Sequence, residues 1–147
     1  MSKLLQRLQD PSRSGVYRVR SDVELLDALR GGGASLHRIS LEGVAGKEDL
    51  LDRIARVLKF PDYFGRNWDG LKDCICDLSW LGAGGHVILF QEYADVPAGD
   101  REVLMEILKT CAGIWARPPA PLHAEPFFAV FVDQHGRLPL PDLFREG

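Results

Sequence analysis

Cysteine is scarce in this chain, three in 147 residues, and the number is odd. Cys74, Cys76 and Cys111 therefore cannot form the fully paired framework of a small secreted scaffold, and they read as reduced thiols. Long apolar runs are also missing. No stretch reaches the ~20 residues of a membrane-spanning helix, and the opening MSKLLQRLQDPSRSG has no apolar core followed by a small-residue cleavage site. A soluble, cytoplasmic product is expected. Basic residues are not in excess: 18 Lys and Arg stand against 21 Asp and Glu, for a net charge of −3. This balance offers no general attraction to nucleic acid or anionic membrane. No internal repeat or low-complexity tract is present. What remains, 46% hydrophobic and 27% charged, is a globular composition able to bury one core, so a single domain over 1–147 is expected.

Gly15 to Arg20 alternates β-formers with polar residues, as a half-exposed strand does. Ser21 and Glu24 have the spacing of a capping box for a helix from Val23 to Arg30. Gly31 to Gly33 then offer the left-handed conformation that closes a helix. His37 to Leu41 is a second candidate strand, followed by a loop from Gly43 to Gly46. Leu50, Leu51, Ile54, Val57 and Leu58 make one apolar helical face, with Pro61 as its stop. His86 to Phe90 and Phe127 to Val132 are almost continuously apolar, the pattern of central strands covered on both faces. Between them Val103, Leu104, Ile107, Leu108 and Cys111 define another amphipathic helix, followed by a proline-rich loop from Arg117 to Pro121. The alternation predicts an α/β fold with a small, mostly parallel sheet packed by helices.

The segment from Phe60 to Leu78 carries the chemistry. Asn67 is a suitable N-cap, and Asp69 just inside the helix is favoured by the partial positive charge of its N-terminus. At 100° per residue, Trp68, Leu71, Cys74, Ile75 and Leu78 form an apolar stripe, while Asp69, Asp73 and Asp77 stack one turn apart on the other side. Like charges at this spacing cost an isolated helix about 0.2–0.5 kcal/mol per pair. A solvated face usually mixes signs, whereas only Lys72 interrupts this one. The alternative to mere solvation is an electrostatic docking surface for a cationic partner. Tyr63 and Phe64, with Gly65 for a tight bend, lead into it.

Pro61, Asp62, Tyr63, Phe64, Gly65, Asn67, Asp69, Asp73 and Cys74 together resemble the signature of the barstar family. In that pattern a proline, an acid, two aromatics and a glycine precede an Asn-x-Asp helix start, with an Asp-Cys pair one turn later. The resemblance implies a barstar-like layered fold, with 36–132 as the core, 1–35 as a strand-helix extension and 133–147 as a tail. The extension either lengthens the sheet or covers its edge. The implied activity is inhibition of a basic, barnase-like extracellular ribonuclease by plugging its active site, with no cofactor and no direct contact with nucleic acid or membrane. By the same resemblance, Asp73 is the central carboxylate standing in for a substrate phosphate, Asp69 adds a second charge pair, Tyr63 packs on the nuclease, and Gly65 and Asn67 shape the loop. Trp68, Lys72 and Asp77 complete the candidate partner-binding set. Lys72 replaces a tryptophan of the family pattern. The later-helix glutamate has no clean counterpart, since Lys109 and Thr110 occupy its neighbourhood and Glu106 is only a loose substitute. Both departures remove acid or add base, which leaves a different basic toxin or protein as the alternative partner.

Other readings are weaker. Two carboxylates on an exposed helix face lack the differently tuned environments of a catalytic acid and base. Cys74 and Cys76 lack two further metal ligands at usable spacing. The histidines at 37, 86, 123 and 135 are scattered and read as structural or surface residues. The glycine clusters at 31–33 and 82–85 follow a helix and precede a strand, the reverse of a phosphate cradle.

Overall fold

The computed structural model describes residues 3–82, 84–120 and 122–144. Pro121 of the expected proline-rich loop, Ala83 of the second glycine cluster and the last three residues of the expected tail lie outside them. Along the chain run α1 (Lys3–Leu8), β1 (Gly15–Val19), α2 (Val23–Leu29), β2 (Ser35–Ser40), α3 (Lys47–Val57), α4 (Trp68–Asp77), β3 (His86–Gln91), α5 (Ala98–Ala116) and β4 (Phe127–Val132). The strands form one sheet in the order β1-β4-β3-β2. Every pairing is parallel, so the expected α/β class holds and the sheet is wholly parallel.

The two continuously apolar runs, β3 and β4, are the central strands, with five successive buried residues each. Alternate residues feed two cores. Ile88, Phe90, Phe127, Ala129 and Phe131 meet Leu50, Leu51 and Ile54 of α3, Leu71 and Ile75 of α4, and Leu104 and Leu108 of α5. On the other face Val87, Leu89, Phe128 and Val130 meet Leu8 of α1 and Leu25 and Leu29 of α2. Covering both faces removes the need for an apolar/polar alternation, as the sequence pattern anticipated.

The N-terminal region both lengthens and covers the sheet. β1 pairs with β4 from Gly15↔Phe128 to Val19↔Val132, and α1 and α2 close the second face. The C-terminal segment is less a tail than a seal. Arg18 N–H donates to Pro141 O at 2.9 Å and Leu143 N–H to Arg18 O at 3.0 Å, which pairs the outer edge of β1. Leu138, Leu140 and Leu143 are buried there. An edge satisfied in this way is closed to a further strand. Asp133 anchors the segment: burial opposes its ionisation, but bonds from the Leu138 and Arg137 amides and the Tyr93 hydroxyl, with the charge of Arg18, hold its carboxyl below the ordinary value.

Several local expectations are corrected. The first described helix, α1, and the start of β2 at Ser35 were not anticipated. The Ser21 hydroxyl accepts from Val23 N–H at 3.3 Å, but Asp22 is the N-cap of α2 and makes no side-chain cap bond, so the expected capping box does not form. α3 stops before Pro61 can act: Lys59 adopts φ 55°, and Phe60 N–H returns to Ala55 O at 2.9 Å. That is the closing bond of a Schellman turn, with lysine where glycine is usual. α5 begins at Ala98, and Val103, assigned to its apolar face, is exposed.

The sheet also brings together two of the histidines scattered in sequence. His37 on β2 and His86 on β3 lie with Nε2 and Nδ1 3.1 Å apart. Burial lowers the pKa of both below the ordinary 6.5. For His37 the charges of His86 and Lys59 act in the same direction, while for His86 Glu125 opposes the effect. The unfolded chain therefore binds protons before the folded one, and stability present above about pH 6.5 is lost as pH falls below it. The denaturant midpoint should drop between about pH 7.5 and 5.5, and His37→Gln should flatten that slope. An unchanged slope in the variant would remove the pair as its cause.

Candidate functional site

The acidic helix is α4, and the sequence explains its start. The Asn67 side chain is the cap, accepting from Gly70 N–H at 2.6 Å, a bond whose loss typically costs about 1 kcal/mol. Leu71, Cys74 and Ile75 face the core, and Trp68 is half-buried against it. Asp69, Lys72, Asp73 and Asp77 are exposed. Among the described residues none of these four charged side chains forms an ion pair within the chain.

The loop before α4 splits its two aromatics. Phe64 turns inward onto Phe60 with ring centroids 4.9 Å apart, and Phe60 in turn meets Trp80. Tyr63 turns outward and is 67% exposed, the adjacent ring of the pair having taken the core position. Partial desolvation and the charges of Asp77 and Asp73 raise the Tyr63 pKa, so its hydroxyl stays protonated beside the acids. Tyr63, Asp73 and Asp77 thus share one surface.

The bend has a different origin from the one expected. The left-handed residue is Arg66, with φ 54°, not Gly65. The Arg66 side chain, largely exposed, pairs with Asp52 of α3 at 3.0 Å. Gly65 eases a close approach, because a Cβ on it would lie 3.3 Å from Nδ2 of the Asn67 side chain. Gly70 was not foreseen. A Cβ there would sit 3.1 Å from Asn67 Oδ1, 3.2 Å from Phe64 and 3.3 Å from Gly65 N, so a glycine inside the helix lets the loop lie against its first turn. A helical glycine with no stop to mark was the available signal.

Two tryptophans fix the far ends of the supporting helices. Trp80 Nε1–H donates to Leu58 O at 2.8 Å, at the close of α3. Trp115 Nε1–H, on α5, donates to Ile75 O at 2.9 Å, one of the last-turn carbonyls of α4. Helix ends leave such carbonyls without partners. Leu78 closes α4 in the left-handed conformation, and its N–H returns to Cys74 O at 3.0 Å. Among the described residues, no group of three His, Cys, Asp or Glu is placed to hold a metal.

Fold and face together define a parallel α/β protein that holds a fixed acidic helix out to solvent. The family described as Barstar (barnase inhibitor) matches residues 34–126, and the chain belongs to it. The matched span contains β2, β3 and all three helices of the first core, including the whole Tyr63 to Asp77 surface. No curated protein matches the chain. No helix among the described residues is long and apolar enough to cross a membrane.

Trp115→Phe keeps the ring stacked on Phe127 but deletes the donor to Ile75 O. An unsatisfied acceptor of this kind costs about 1–3 kcal/mol. Denaturant unfolding should report that loss, and hydrogen exchange should show earlier opening of the last turn of α4. An unchanged midpoint would show that the anchor is dispensable.

Proposed function

We propose that this chain is a protein inhibitor that seats α4 and its preceding loop in the active site of a basic, barnase-like ribonuclease. The supporting observation is the group Asp69, Asp73 and Asp77, exposed, in no ion pair within the chain among the described residues, and beside an exposed Tyr63. Exposed carboxylates outside any ion pair are available to arginine side chains in paired, charge-assisted hydrogen bonds. Asp73 is the central group and Asp69 the second, with Tyr63 packing on the nuclease beside them. Gly65 and Asn67 act through the shape of the loop, and Trp68 and Lys72 border the contact. In this reading the chain is one non-catalytic domain, with residues 3–35 and 133–144 buttressing the 36–132 core. It works in the cytoplasm of the cell that makes the nuclease.

One feature favours the second reading, a different basic toxin. Lys72 interrupts the acidic row, and Glu106 on α5, the loose counterpart of the later-helix glutamate, is already 3.8 Å from Lys109. A target with less positive charge opposite α5 suits that arrangement better.

Titration of the chain into a barnase-like ribonuclease should abolish its activity at stoichiometric concentration, with affinity falling as salt rises. A hydrogen bond to a charged group is worth about 1.5–3 kcal/mol, so Asp73→Ala should weaken binding by roughly tenfold to a hundredfold. Asp77→Ala, nearer the rim, should cost about fivefold at most. Absence of both binding and inhibition at micromolar concentration would reject the ribonuclease and leave the other toxin.

A further inference from the structure

Cys76 near the end of α4 and Cys111 of α5 are 35 positions apart, yet their Sγ atoms lie 2.7 Å apart. This distance is well inside ordinary sulfur contact and not far from the ~2.0 Å of a disulfide bond. Cys74, the cysteine nearest in sequence to Cys76, is not available for this pairing. Two residues along a helix is a rotation of about 200°, and Cys74 is buried in the core on another side. We infer that Cys76 and Cys111 are an oxidation site, a dithiol that a peroxide closes to an intramolecular disulfide stapling α4 to α5.

Access, order of events and consequence follow from the surroundings. Cys76 is half-buried and lines an open groove of about 470 Å³ between the end of α4 and the loop after α5, with Trp115 and Glu125 among its walls. Cys111 is fully buried, with Lys72 O as a further acceptor at 3.5 Å. A small oxidant thus reaches Cys76 first. The Cys111 thiol and the Lys72 ammonium also favour the Cys76 thiolate, whereas Cys111 is held protonated by its bond to Cys76 and by burial.

The Cys76 thiol gives its proton to solvent, and its sulfur attacks one peroxide oxygen. The S–O bond forms as the O–O bond breaks, and the departing hydroxide takes up a proton to leave as water. Cys111 sulfur then attacks the Cys76 sulfenic sulfur. The S–S bond forms, the S–O bond breaks, and hydroxide leaves with the Cys111 proton as a second water. The two sulfurs together lose two electrons, and the peroxide oxygens gain them. The staple lies one residue from Asp77 and one helical turn from Trp115, so it locks the C-terminal half of the acidic helix against α5.

The test uses the full chain treated with hydrogen peroxide, quenched, unfolded and alkylated. The expected product is a monomer lighter by two hydrogens, with one alkylatable thiol, Cys74, and a linked peptide pair containing Cys76 and Cys111. A dithiol reductant should restore three thiols, and the oxidised form should melt at higher temperature than the reduced form. Cys76→Ser should abolish the mass loss. Cys111→Ala should abolish it too while leaving Cys76 to proceed to higher oxides. Cys76 is only half-buried, so its variant keeps the test readable if the core variant folds poorly. A disulfide that includes Cys74, a cross-linked dimer, or three alkylatable thiols after oxidation would overturn the inference. None of these readouts depends on the ribonuclease, so the inference stands or falls separately from the proposed function.

Discussion

A helix that leaves a row of three carboxylates to solvent gains little from its outer face, so its position has to be set from within. Like charges one turn apart each cost about 0.2–0.5 kcal/mol, and among the described residues none of the three is in an ion pair within the chain. The compensation is a set of bonds and contacts reaching α4 from elsewhere. The Asn67 cap closes its first turn, and Leu71, Cys74 and Ile75 are buried under it. The indole of Trp115 takes up the carbonyl of Ile75. The loop is fixed likewise by Phe64 wedged against Phe60, and Arg66 pairs with Asp52. With these restraints the backbone that carries Tyr63, Asp73 and Asp77 is set in place, which reduces the ordering cost of an association.

The elements outside the family match place the same constraint in a larger frame. Residues 34–126 supply β2 and β3 with α3, α4 and α5, a sheet covered on one face. β4 follows directly, and its other side would expose Phe128 and Val130. α1, α2 and β1 bury that second face, and the segment from Leu138 to Leu143 then closes the outer edge of β1. α1 and α2 thus cover the side of the sheet away from the acidic helix, while Val16, Leu138 and Leu140 join the core beneath it.

Much of this was readable in the chain because it is local. Continuous apolar runs marked β3 and β4, a 3.6-residue period marked α3 and α4, and Asn67 with Asp69 marked where α4 begins. What escaped depends on groups far apart in sequence. His37 meets His86, Trp115 meets Ile75 and Cys76 meets Cys111 only after the sheet and helices have packed. Left-handed Lys59 and Arg66 were hidden for another reason, since glycine or asparagine usually fills such positions. α1, at six residues, is too short for periodicity to distinguish it from a loop. Within the candidate site, the charges and the exposed tyrosine were legible, and the glycine at 70 that seats the loop was not.

A basic partner is proposed to bind the face formed by Tyr63, Asp69, Asp73 and Asp77. Amide chemical-shift mapping of the isotope-labelled chain, titrated with a barnase-like ribonuclease, tests it most directly. Large, saturable shifts are expected, confined to the loop from Tyr63 to Asn67 and to α4, with the strands and α2 unmoved. Shifts concentrated on α1, α2 or the C-terminal segment, with α4 silent, would contradict it.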